Sequence, residues 1–415
     1  MGAPPAHRAT TANLGALYPF VAEPALGCAG PYIGRDLLGG SFSYDPFELY
    51  AQGVVTSPNM VVVGQIGRGK SALVKTYLWR QSLRGCQAWV VDPKGEYGPL
   101  ARAWGVEPLR LHPGGPLRLN PLERRGRPGT ASEAAERRRS GLLASLAEAC
   151  LERPLGPAEA AAVDLALSTA EARTGGRPLI GHVVEALLRP DQRRAAEVAT
   201  GAAELAADGR PVALVLRRLV AGDLKGMFDA PTTRGLDLEA PLVVLDLSAV
   251  YGSAALGVLM ACAMAWVQAA VERPGRRRLL VVDEAWAVLA QLGTARWLQA
   301  SWKLSRSYGL SNLAVLHRLS DLRAAGPAGS EQAMLAQGLL SDSETRVVYA
   351  QPPGEAADSR AALGLTGTEV ELLPRLGRGV ALWKVGGRAF LVEHRLSPAE
   401  AALIDTDAVM RGGLG

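Results

Sequence analysis

The eight residues from Gly64 to Ser71, GQIGRGKS, have the types and spacing needed to hold phosphate. Gly64, Gly67 and Gly69 let the backbone curl so that successive N–H groups converge on phosphate oxygens. Lys70 is placed to reach the β- and γ-phosphates of a nucleoside triphosphate, and Ser71 to coordinate Mg²⁺. Gln65, Ile66 and Arg68 fill the loop between the glycines, and Ala72 follows it. A second stretch, RRLLVVDEAW (277–286), sets Asp283 and Glu284 after four apolar residues. Asp283 would hold the Mg²⁺ shell and Glu284 would polarise the attacking water. Adjacent carboxylates at a buried strand end are costly unless a cation or water network balances them. That cost favours a working site over an acidic helix cap.

Such a site needs elements to position it. Asn59 to Val63 is a β-branched apolar run, Ser71 to Arg84 reads as a helix with Gly85 as its C-terminal cap, and QAWVVD (87–92) is the next buried strand. This is a βαβ unit, which belongs in a parallel sheet. VVDPKGEYG (90–98) puts Asp92 at the carboxyl end of that strand, whereas Lys94 and Glu96, taken alone, read as a solvated turn. From 130 to 224 the texture changes to Ala, Leu, Glu and Arg with no strong strand. Thr130 and Glu133 have capping-box spacing before a segment running to Cys150, and Pro157 suits the first position of a helix ending at Arg173. Strand-like runs return at 241–247, 278–283, 312–316 and 346–350. VALWKV (380–385) and AFLVEH (389–394) then read as a hairpin joined by Gly386, Gly387 and Arg388.

The chain has 415 residues, 48% apolar and 20% charged, which excludes wholesale disorder and allows more than one folding unit. Aromatics are only 5%, which favours a helix-rich α/β core over a β-sandwich. Of 45 basic residues six are lysines, so arginine excess reads as coding bias; the net charge of +5 permits a nucleic-acid or anionic-membrane partner without demanding one. The Arg137–Arg139 and Arg276–Arg278 clusters read as solvated or interface groups. Four dispersed cysteines form no CxxC pair, which points to a reducing cytoplasm. Residues 1–20 show no secretory signal. The apolar stretch from Ala254 to Val271 lies between two strand-like runs, which favours a buried crossover helix over a membrane span.

The order NMVVVGQIGRGKS, VVDPKGEYG, LRLNPL (117–122), LLVVDEAW resembles the HerA–FtsK superfamily of P-loop motors, and within it the conjugation and type IV secretion ATPases of the TraC/TrbE type. In that group an Asn before the P-loop, a D-P-K-G-E-Y and an N-P-L recur together. The likeness extends to GMFDAPTT (226–233), RSYGL (306–310) and residues 363–388. It implies an α/β fold with a RecA-like P-loop core and a mostly parallel sheet, plus an all-helical insertion and a short N-terminal β-containing segment. The corresponding boundaries are 1–58 for the N-terminal segment, 59–129 and 225–395 for the core, 130–224 for the insertion and 396–415 for the tail.

The resemblance further implies an ATP- and Mg²⁺-dependent motor driving conjugative DNA transfer or type IV secretion. Such motors form homo-oligomeric rings, commonly hexamers, and work with channel components at the inner face of the membrane, with DNA as a further partner. The alternative is a HerA- or FtsK-like translocase acting directly on DNA. No LSGGQ-like signature precedes the acidic strand, which argues against an ABC transporter subunit. The N-terminal spans of an FtsK translocase or an anchored coupling protein are not seen. Relatives carry a large N-terminal domain thought to dock on the channel; with residues 1–58 ahead of the core, that docking role is not expected here. Where that group has a Gln sensing the γ-phosphate, this sequence has His317, which could donate to phosphate or water and adds pH sensitivity. An arginine from a neighbouring subunit would complete each site and is worth roughly 10³–10⁵ in rate. Arg306, Arg346 and Arg375 lie in segments resembling that group's C-terminal blocks.

Overall fold

The computed structural model describes residues 26–123, 133–251, 276–290, 292–320 and 329–404, with Leu256, Leu259, Met260, Cys262, Ala263, Trp266 and Val267. Its strands are β1 (Tyr32–Asp36), β2 (Ser41–Ser43), β3 (Met60–Val63), β4 (Gln87–Asp92), β5 (Leu109–Arg110), β6 (Leu242–Asp246), β7 (Arg278–Val282), β8 (Leu310–Leu316), β9 (Thr345–Val348), β10 (Val380–Val385) and β11 (Arg388–His394). They form one sheet in the order β2-β1-β11-β10-β9-β3-β8-β7-β4-β6-β5. From β9 to β5 every neighbouring pair is parallel, and from β9 to β2 every pair is antiparallel.

Five of the parallel strands, β3, β4, β6, β7 and β8, are buried along their whole length, which is why they read as unbroken apolar runs, whereas β5 at the edge is partly exposed. Successive side chains leave opposite faces of the sheet and feed two cores. Met60, Val62, Val90 and Val281 meet Leu73, Val74, Tyr77 and Leu78 of the helix Lys70–Ser82. Val61, Val63, Val91 and Val282 face the other layer, which includes the helices Leu292–Tyr308 and Glu331–Ser341. The described residues of the apolar segment are helical and buried in that same layer, with the Trp266 ring 5.6 Å from Trp89. Among the described residues, no helix is long and apolar enough to cross a membrane.

Among the described residues, five helices lie between β5 and β6: Glu133–Leu151, Pro157–Arg173, Ile180–Leu188, Gln192–Glu197 and Ala202–Ala221. Pro157 stands at the start of its helix, whereas Thr130 lies outside the described residues. The chain enters and leaves this helical stretch through segments that bond to each other. The Leu119 amide donates to Met227 O at 2.8 Å and the Thr233 amide to Arg118 O at 2.9 Å. The Asn120 amide donates to Thr232 Oγ1 at 3.0 Å, and Arg118 pairs with Asp229 at 2.9 Å. LRLNPL and GMFDAPTT are thus two sides of one junction.

The antiparallel strands close the other side of the sheet. The hairpin turns on Gly386 and Gly387 alone, because Arg388 already pairs with Val385. This loop is one residue shorter than the sequence suggests; Gly386, at φ 58°, supplies the left-handed backbone that a tight turn needs. Phe42 and Tyr44 from the N-terminal segment pack against Trp383 at 5.2 and 5.3 Å. Residues 398–404, expected as tail, form a helix packed beside Lys70–Ser82, with Glu400 bound to Arg80 at 2.6 Å.

Candidate functional site

From β3 the chain crosses to β4 on one side, and from β8 it crosses back over β3 to β9 on the other. The crevice where such connections part lies at the carboxyl ends of the strands. Here it holds the loop Gly64–Gly69. A Cβ on Gly64 would sit 2.4 Å from the Tyr349 Cβ, so only glycine lets this loop leave β3. Gly69 has φ 113° and opens the helix Lys70–Ser82, whose free amides and dipole face the crevice.

Lys70 is buried and donates to the Gly64 carbonyl and, at 3.0 Å, to the Gln65 carbonyl. Burial lowers its pKa to about 8, partly opposed by Asp283 and Glu284. Both carboxylates follow β7. The Asp283 Oδ2 accepts from the Tyr97 hydroxyl at 3.1 Å, and its Oδ1 from the Glu284 amide at 2.9 Å. Burial, then the Glu284 charge, raises the Asp283 pKa. Glu284 has φ 52°, a conformation costly for a non-glycine residue and frequent at functional sites. Burial alone would raise its pKa, but hydrogen bonds from His317, Lys94 and Trp286 bring it down to about 2. The two adjacent carboxylates are therefore driven apart, one toward the proton and one toward the charge.

His317 directly follows β8 on the same edge, with Nε2 2.5 Å from Glu284 Oε1. Asp92 organises the next loop. Its carboxylate accepts from the amides of Lys94, Gly95 and Tyr97 at 3.2, 2.9 and 2.9 Å, while burial raises its pKa to about 6. The D-P-K-G sequence is indeed a turn, and it delivers Lys94 to Glu284 Oε1 at 2.5 Å. Glu96 lies 3.6 Å from the fully buried Lys75.

A cleft of about 390 Å³ unites these groups, a volume suited to a small organic ligand. Ile66, Gly67, Gly69, Lys70, Ser71, Ala72, Asp283, Glu284 and His317, all singled out from sequence, line it. Gly64, Gln65 and Arg68 shape the loop behind, with Arg68 O accepting from the Gly379 amide at 2.9 Å. Lys94, Glu96, Arg378, Ala401 and Ile404 also line it and were not expected there. The three arginines do not. Arg306 and Arg375 are exposed, whereas Arg346 donates to Leu363 O at 2.9 Å and Ser341 O at 3.3 Å from within β9.

A glycine-rich loop after the central strand, with an acidic pair two strands away, gives the chain the architecture of a RecA-like P-loop core. Solved structures share this architecture. VirB4 of Thermoanaerobacter pseudethanolicus aligns with a TM-score of 0.73 at 21% identity, covering 92% of this chain and 100% of that one. The bacterial conjugative coupling protein TrwBdeltaN70 aligns at 0.56 and 17% identity, covering 92% of each chain. The plasmid coupling protein TrwB in complex with ADP and Mg²⁺ aligns at 0.58 and 18% identity, covering 82% of this chain and 85% of that one. No protein-family model matches the chain, and no curated protein matches it.

Proposed function

We propose that the chain is an ATP-hydrolysing motor serving conjugative DNA transfer or type IV secretion. The observation that carries this reading is the cleft itself: loop amides, Lys70, Ser71, Asp283 and Glu284 converge on one edge of a sheet that follows the VirB4 fold along 92% of the chain. The donor set suits a hard cation, because the Ser71 hydroxyl and the Asp283 carboxylate offer oxygen. Mg²⁺ held there would neutralise charge on the β- and γ-phosphates.

The protein groups do the rest. Loop amides and the helix N-terminus bind and orient the phosphates. Lys70 leaves the Gly64 and Gln65 carbonyls for the phosphate oxygens, which accept more strongly because they are charged. Glu284 takes a proton from the attacking water. His317 stands beside Glu284, where it can steer that water. Arg306 and Arg375, exposed and outside their own cleft, are the candidates to reach a neighbouring site in a homo-oligomeric ring, whereas Arg346 is committed to its own chain. Work at the inner face of the membrane with channel components follows from the same reading.

The test is Mg²⁺-dependent hydrolysis of ATP by the purified chain, with loss of nucleotide binding in Lys70→Ala. No hydrolysis above the Lys70→Ala background would overturn the proposal. Stimulation by duplex DNA without channel components would instead favour a translocase acting directly on DNA.

A further inference from the structure

We infer that Lys94 gates Glu284: its ammonium holds the carboxylate disengaged and transfers to the γ-phosphate of a bound nucleoside triphosphate, which frees the base. This rests on the proposed ATPase reading and adds a positioning residue to it.

Glu284 is fully committed in the geometry described. Its Oε1 meets both Lys94 Nζ and His317 Nε2 at 2.5 Å, and its Oε2 accepts from Trp286 Nε1 at 2.5 Å. A base must present a lone pair to the water it deprotonates, and a cation at that distance withdraws it. The arrangement is also overdetermined. Lys94 Nζ lies 3.2 Å from the same His317 Nε2, which can donate to Glu284 or accept from Lys94 but not both. Within this triangle one partner gains by leaving.

Lys94 is the one free to leave. The Asp92 carboxylate pins its backbone through three amides, so the loop stays put while the side chain swings. Its four-carbon stem carries a rotatable point charge, it is partly exposed, and its other neighbour is the Tyr251 ring at 5.9 Å. It lines the same cleft as Lys70 and Ser71, where the γ-phosphate would lie. That phosphate carries more negative charge than a carboxylate, so it competes for the ammonium. His317 and Trp286 are held by ring geometry near a strand end and a helix start; they orient Glu284 after Lys94 has gone.

The prediction concerns selectivity between nucleotides, measured without turnover. Equilibrium binding of Mg-ADP and of the Mg complex of β,γ-imido-ATP is determined for the full chain and for Lys94→Met, Lys94→Arg, Glu284→Gln and Lys94→Met/Glu284→Gln. Lys94→Met should lower the preference for the triphosphate by about tenfold, the worth of one charge-assisted hydrogen bond, with ADP affinity unchanged. Lys94→Arg should recover it to within about threefold. Glu284→Gln should raise the preference by about tenfold, because it releases Lys94, and should add nothing in the Lys94→Met background. An equal gain in both backgrounds would overturn the gate, because Glu284 would then act through its own charge alone. Loss of ADP binding in Lys94→Met would also overturn it, as would an unchanged preference there. No triphosphate binding by the unaltered chain would overturn the gate and the ATPase reading together; binding with any of the other adverse outcomes removes only the gate.

Discussion

The two halves of the sheet solve different problems with different residues. In the parallel half, the β-branched and aliphatic strands from β3 to β6 are covered on both faces and end on the same edge, so the residues that follow them, Gly64, Asp283 and His317, and Asp92 at the end of β4, come together there without any one segment bending toward another. In the antiparallel half, strand ends alternate between edges, and no comparable cluster forms among the described residues. That half instead holds a concentration of rings in an aromatic-poor chain: Phe42, Tyr44, Trp383 and Phe390 pack within 5.3 Å of one another in pairs. Chemistry gathers where strands agree in direction; packing density gathers where they do not.

Substitutions can break that division. The largest effect is expected from Glu284→Gln, which removes only the base: steady-state turnover should fall by about 10²–10⁴ while nucleotide still binds, and near-normal turnover would show that catalysis lies elsewhere. Trp383→Ala, in the antiparallel half, should cost about 3–5 kcal/mol in denaturant unfolding yet leave the nucleotide affinity of the folded chain unchanged. A smaller effect should come from mixing. Lys70→Ala and Arg375→Ala proteins, each inactive alone, should regain part of their ATPase when combined, if an arginine acts across subunits; no regain in any ratio counts against Arg375 in that role.

The smallest effect sharpens the contrast through pH. His394 at the end of β11 lies 2.9 Å from Thr76 Oγ1 on the P-loop helix. Burial, then Arg80, lowers its pKa from 6.5 to about 4. The folded chain therefore binds fewer protons than the unfolded one, and this stability is present above pH 6.5 and is lost as pH falls through about 4. Glu400, held by Arg80 against its burial at a pKa of about 2 instead of 4.5, loses its contribution only at lower pH. Thermal unfolding followed from pH 7 to 4 should show a falling Tm that is flatter in His394→Gln, and parallel curves would mean that His394 titrates alike in both states.

The sequence exposes what is local in chain order. Gly64 to Ser71 and the Asp283–Glu284 pair are contiguous, so residue type and spacing suffice. QAWVVD and the Pro157–Arg173 helix match at both ends, because a left-handed turn at Gly85 precedes the first and a proline and a glycine pair bound the second; the helix before QAWVVD ends at Ser82 with Leu83 at its cap, two residues short of the expected Arg84 and Gly85. β8 begins two residues before the expected 312, since the polar Ser311, like Asn312 beside it, is buried. Ser311 Oγ donates to Pro58 O at 2.6 Å and the Asn312 amide to Asn59 Oδ1 at 3.1 Å, satisfying groups that would otherwise argue for a loop. The same contacts give Asn59 a physical role as a buried staple between β3 and β8, which no reading of its own neighbourhood supplies. Lys94, Arg378, Ala401 and Ile404 reach the cleft from three separate segments. Only the fold brings them there, although Lys94 carried a signal in following a strand that ends on the chemical edge.

The paired segments 117–122 and 226–233 also bear on how such a chain can change over time. Because Leu119 bonds Met227 and Arg118 bonds Thr233, the two ends of the intervening helices are fastened to each other before they reach the strands. Whatever is spliced between them inherits a fixed socket. Helices there can lengthen, shorten or be exchanged without shifting the register of β5 against β6, so a new partner can be acquired while the edge that carries the cleft keeps its dimensions.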